Sequence, residues 1–126
     1  MPKHVPNLPG IEPGPYPFSQ VVEANGFVFL AGQVGDAPGS HGAVPGGIQA
    51  ETKQTMENIR GVLERNGSSL DRVFKCTAML ADMAEWDAMN AVYVTYFPGE
   101  KPARSAFGAS GLARGARIEL ECWAKK

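Results

Sequence analysis

A chain of 126 residues, 44% hydrophobic and 20% charged, has the size and balance of an ordinary globular protein, and a single domain spanning 1–126 is expected. Twelve basic against thirteen acidic residues give a formal net charge of -1, with no cationic block beyond Lys125-Lys126. A dedicated nucleic-acid binder needs a basic stripe to neutralise phosphates, so that class is disfavoured. The longest clear apolar run, Phe27 to Ala31, is far short of the ~20 residues that cross a bilayer. The start of the chain shows no apolar signal segment. Cys76 and Cys122 stand among apolar neighbours and read as small core hydrophobes. A cytoplasmic location without a membrane partner is the expectation.

Six prolines between Pro2 and Pro17 deny the first seventeen residues a helix and predict extended chain over the surface. Residues 19–24 and 26–32 are β-branched and aromatic runs that meet at Asn25-Gly26, a strong hairpin signal. The glycine-rich stretch 36–47 reads as a long loop and lacks the Gly-Lys-Ser/Thr ending of a phosphate loop. From Ile48 the period changes. Ile48, Thr52, Thr55, Met56, Ile59, Val62 and Leu63 fall at helical spacing, and Asn66-Gly67 supplies a glycine suited to the left-handed position after a helix.

Residues 71–81 alternate, which predicts a strand with Phe74, Cys76, Ala78 and Leu80 on one face and Val73, Lys75, Thr77 and Met79 on the other. Asp82 with Glu85 resembles a capping box that opens a second helix. Its stripe of Trp86, Met89, Asn90, Tyr93 and Phe97 reads as core, and Pro98-Gly99 stops it. Strands at 103–109 and 116–124 complete the order strand, strand, helix, strand, helix, strand, strand. That order predicts a two-layer α+β (α/β sandwich) domain, a mixed sheet with two helices packed on one face.

In the last strand, Ile118, Leu120, Cys122 and Ala124 take one face and Arg117, Glu119, Glu121 and Trp123 the other. The apolar face belongs under the helices, so Glu119 turns toward solvent or another subunit. Arg104, in Pro102-Ala103-Arg104-Ser105, stands fifteen residues before Glu119. Were their two segments paired, guanidinium and carboxylate would face one small polar ligand. The forked guanidinium suits a carboxylate, and the glutamate suits a water or a proton. Taken singly, Arg104 reads first as a solvated or interface charge and Glu119 as a surface strand carboxylate, and Glu121 as structural or interfacial. His4 and His41 are isolated in polar sequence, so no metal site is expected.

Gly14-Pro15-Tyr16, Ala31-Gly32-Gln33, Asn90-Ala91-Val92-Tyr93, Pro102-Ala103-Arg104-Ser105 and Ile118-Glu119-Leu120-Glu121 stand in the order seen in the RidA/YjgF/UK114 family of enamine and imine deaminases, also called endoribonuclease L-PSP. The chain resembles that family over almost its whole length. The resemblance implies a chorismate-mutase-like fold and a homotrimer with ligand sites in intersubunit clefts. It implies hydrolysis of 2-aminoacrylate-type enamine and imine acids to 2-keto acids and ammonia, without cofactor or metal. By the same resemblance Arg104 would clamp the substrate carboxylate and Glu119 would orient or activate the attacking water. Tyr16 would border the pocket and hydrogen-bond the substrate nitrogen, and Gly32 would admit close backbone approach. Asn90 would stand at the family's helix asparagine, and Ala106 would lend main-chain groups.

The chain also departs from the family. Ala31 stands where serine is frequent, Ala106 where many members have cysteine, and the loop before Pro102 is shorter than in the commonest members. These differences bear on substrate size and preference. An alternative is a non-catalytic trimer that binds a 2-keto acid. Ribonuclease activity, attached to some relatives, is disfavoured by the near-neutral charge and the lack of a histidine pair.

Overall fold

Period-two alternation sorts the strand side chains into a buried and an open face, and two amphipathic helices cover the buried one. The computed structural model describes residues 1–5 and 16–126; most of the proline-rich lead, with Gly14-Pro15, lies outside the described residues. Strands β1 (Lys3–Val5), β2 (Val21–Ala24), β3 (Phe27–Leu30), β4 (Val73–Leu80), β5 (Ala103–Gly108) and β6 (Ile118–Lys125) form one sheet in the order β1-β2-β3-β6-β4-β5. Helices α1 (Ile48–Arg65) and α2 (Trp86–Tyr93) pack on it. Only β4 and β5 pair in parallel, and α2 lies in the crossover that such a pair requires.

The β2–β3 hairpin turns through Asn25 (φ 53°) and Gly26 (φ 82°), both left-handed as a two-residue primed turn demands. The α1 stripe is buried as its spacing predicts. The buried hydroxyls of Thr52 and Thr55 donate to the carbonyls of Ile48 and Glu51 at 2.7 Å, which offsets their loss of water. Gly67 (φ 80°) follows the end of α1. Cys76 and Cys122 face each other across β4 and β6, fully buried and unbridged, with Sγ atoms 2.6 Å apart.

Three expectations need correction. Lys3–Val5 pairs antiparallel with β2, a strand that the surrounding prolines concealed. The register of β4 on β6 shifts between Val73 and Lys75, so Val73 turns inward and Phe74 outward, 41% exposed. A bulge adds one residue and so reverses the side-chain alternation beyond it. Of the expected capping box only half forms. The Asp82 carboxylate accepts the Ala84 amide at 2.9 Å, but Glu85 accepts from Arg117 Nη1 at 2.9 Å instead of reaching back.

Phe74 thereby joins Phe27, Phe29 and Trp123 on the open face, with neighbouring ring centroids 5.4–6.3 Å apart. In one chain these rings face water. No helix among the described residues is long and apolar enough to cross a membrane.

The segment after β3 is tied to α1 by Asn58, whose Nδ2 donates to the carbonyls of Val34 and Asp36 at 2.9 Å each. Asn58→Ala strands both acceptors in a partly buried place, and a loss of about 1–3 kcal/mol is expected. Urea unfolding reads it directly; an unchanged midpoint would mean that the segment is held by other contacts.

Candidate active site

Arg104 sits on β5, the edge strand, opposite Cys76 of β4. Alternation turns it to the helix-covered face. Its guanidinium lies against two rings of α2, with Cζ 5.1 Å from the Trp86 centroid and 4.7 Å from that of Tyr93. Nη1 donates to Asn90 Oδ1 at 2.7 Å. Trp86, Asn90 and Tyr93 fall at i, i+4 and i+7, one face of the helix. Among the described residues Nε and Nη2 make no hydrogen bond or ion pair, so one edge of the fork is open to an acceptor. Ala106, two residues on, shares this face and packs against the core.

Glu119 leaves β6 on the opposite face. Its position depends on a second irregularity. Phe29 pairs with Trp123 and Gln33 with Leu120, so the chain after β3 takes four steps against three on β6 and absorbs one residue near Gly32. A Cβ built on Gly32 would overlap Oε2 of Glu119. Gly32 therefore makes room for a carboxylate of the same chain, a more specific task than the expected approach to a ligand. Burial, with the charge of Glu121 second, raises the pKa of Glu119 above its ordinary value. The carboxylate borders a cavity of about 480 Å³ shared with Tyr16, Gly32, Gln33, Asn58 and Arg114. The ring of Tyr16 packs 5.2 Å from that of Phe18.

Two acids on the helices secure the start of β6. Glu51, 4% exposed, accepts the Arg117 amide at 2.9 Å and stands 3.6 Å from Arg117 Nε. Glu85 holds Nη1 of the same arginine. Sequence reasoning missed Glu51, although its place three residues after Ile48 on a buried stripe signals an acid with an internal partner.

The expected residues thus form two half-sites, Arg104 with Asn90 and Ala106, and Glu119 with Gly32 and Tyr16. The expectation that the Arg104 and Glu119 segments pair is corrected: β4 runs between β5 and β6, and the two side chains leave opposite faces. Within one chain they do not share a ligand.

A six-stranded mixed sheet with two helices on one face defines a chorismate-mutase-like protein, and the solved structure of yeast Mmf1 has the same form. It is 32% identical, with a TM-score of 0.91 over 100% of this chain and 99% of that one. The family model described as Endoribonuclease L-PSP matches residues 12–126. The 2-iminobutanoate/2-iminopropanoate deaminase of Mus musculus is 41% identical over 105 residues, 83% of this chain and 78% of the mouse protein. A RutC family protein of Pyrococcus horikoshii is 43% identical over 110 residues, 87% of each chain. The chain belongs to the RidA/YjgF/endoribonuclease L-PSP family.

Because any side chain at position 32 collides with the Glu119 carboxylate, Gly32→Ala is expected to fold but to displace that group. A crystal structure of the variant checks this. A Glu119 side chain in its original place beside the new methyl would refute the argument.

Proposed function

We propose that the chain hydrolyses 2-imino and 2-enamino acids of the 2-aminoacrylate type to 2-keto acids and ammonia, as a homotrimer with its sites between subunits. The observation that carries this reading is the separation of Arg104, with one edge of its guanidinium open, from the half-buried Glu119 carboxylate on the opposite face of one chain. A second chain is what reunites them. The exposed ring cluster on the open sheet face supports association, since burying it removes apolar surface from water. The name of the mouse relative supports the reaction class.

In this mechanism Arg104 of one subunit donates two parallel hydrogen bonds, edge-on, to the substrate carboxylate. An enamine first takes a proton at C3 to become the iminium, the state an imine reaches by protonation at nitrogen. Glu119 of the neighbouring subunit removes a proton from water as its oxygen bonds to C2, and the C=N π pair passes to nitrogen, leaving a neutral carbinolamine. Glu119 then returns that proton to the amine nitrogen. As the C–N bond breaks, its electron pair leaves with ammonia, the hydroxyl oxygen forms the C=O bond and gives its proton to Glu119, and the 2-keto acid remains; Glu119 releases this last proton to solvent. Tyr16 borders this space and hydrogen-bonds the substrate nitrogen. Ala106 lends main-chain groups on the Arg104 side. Burial of Glu119 makes it a stronger base than a solvated carboxylate. In this reading the side chains act without cofactor or metal, and the location is cytoplasmic.

A coupled assay tests the proposal. A pyridoxal-phosphate dehydratase generates 2-aminoacrylate from serine, and semicarbazide traps what remains. The wild-type protein is expected to deplete the trapped imine, and Arg104→Ala, with unchanged circular dichroism, to lose about 100-fold in kcat/KM, since truncation removes a charge-assisted pair of hydrogen bonds. Wild type equal to buffer would sink the deaminase reading. If 2-oxobutanoate still bound through Arg104, a carboxylate-binding trimer would take its place.

The pH dependence has a fixed sign. Glu119 must be ionised to accept the proton of water, so activity is expected to fall as pH drops through its raised pKa. The limb should therefore lie above the ordinary glutamate range. A pH–kcat profile with no acidic limb there would contradict the base role.

A further inference from the structure

The stripe on α2 that reads as core in the sequence has a second use. An arginine on an edge strand is ordinarily a long, mobile arm with many rotamers. Arg104 is not, because the rings of Trp86 and Tyr93 both lie against its guanidinium, with centroids 5.1 and 4.7 Å from Cζ. Asn90 fixes a further direction through Nη1. The Nε and Nη2 edge is left for a carboxylate, which is the geometry of a forked pair.

Trp86 is partly buried against the core, and its ring also lies against Arg104. The indole nitrogen of Trp86 makes no hydrogen bond among the described residues. The Tyr93 hydroxyl is buried beside the Cys76 thiol, while its ring packs 5.1 Å from Phe97 and 4.7 Å from the Arg104 Cζ. Both rings offer the guanidinium a negative π face.

From this geometry we infer that Trp86 and Tyr93 are positioning residues for the substrate carboxylate: they clamp Arg104 so that only an edge-on carboxylate is bound. The inference rests on the reading that Arg104 holds that group. It assigns part of the substrate affinity to π faces on the helix.

The test compares Trp86→Leu, which keeps apolar bulk, with Trp86→Phe, which keeps a π face. Each is measured for KM and kcat in the imine assay and for 2-oxobutanoate binding by calorimetry, beside wild type and Arg104→Ala. Loss of the clamp removes binding common to ground and transition states, so Trp86→Leu is expected to raise KM and Kd about tenfold with kcat nearly kept. Trp86→Phe should recover most of that. If Leu and Phe variants weaken equally, or neither weakens, the ring is packing alone and the clamp is overturned while the Arg104 reading stands. If Arg104→Ala itself binds 2-oxobutanoate as wild type does, the reading of Arg104 fails first and the clamp with it. Should wild type show no turnover at all, the Kd series decides the clamp by the same comparison.

Discussion

Because β4 runs between β5 and β6, Arg104 and Glu119 leave the sheet two strands apart, roughly 10 Å across, and on opposite faces. Every functional feature follows from that arrangement. A cation on the helix side and a base on the open side cannot act on one three- or four-carbon acid inside a single chain. They can act on it when the edge of one sheet meets the open face of another. In the proposed homotrimer that meeting occurs at each interface, and the aromatic rings left in water on the open face would give association a driving force.

Each half-site is built by ordinary means. α2 holds Arg104 with two ring faces and one amide oxygen, and the parallel β4–β5 pair sets the height of α2 over the edge strand. Glu119 depends on more distant support. Glu51 and Glu85 grip Arg117 at the head of β6, Asn58 ties the segment after β3 to α1, and a bulge brings Gly32 against the carboxylate. That carboxylate is half-buried beside Glu121, an unfavourable place for an isolated charge. The raised pKa that results suits the general base that the proposed mechanism makes of it.

Much of this was legible in the chain. Alternation along 118–124 assigned both faces of β6, and Asn25-Gly26 marked the β2–β3 hairpin because few other residues tolerate two left-handed positions. The α1 and α2 stripes located both helices. Strand order was not legible, since periodicity says which face a residue takes and nothing about which strand lies beside it. The paired-segment expectation for Arg104 and Glu119 failed on that point alone. Nor did the sequence mark the bulge at Val73–Phe74, which exposes one ring to the company of three others. The roles of Glu51, Trp86 and Tyr93 depend on partners 66, 18 and 11 residues away along the chain, Arg117 for the first and Arg104 for the others. Local patterns do not register such distances.

The most direct measurement is complementation between two inactive variants. Arg104→Ala and Glu119→Gln are each purified, mixed in equal amounts, unfolded and refolded together, and assayed for imine hydrolysis. Sites shared between subunits regain an intact arginine and an intact glutamate from different chains, so about a quarter of wild-type activity should return on statistical mixing in a closed ring. A mixed oligomer, verified by mass, that stays as inactive as its parents would show that both residues must come from one chain, and would contradict the account.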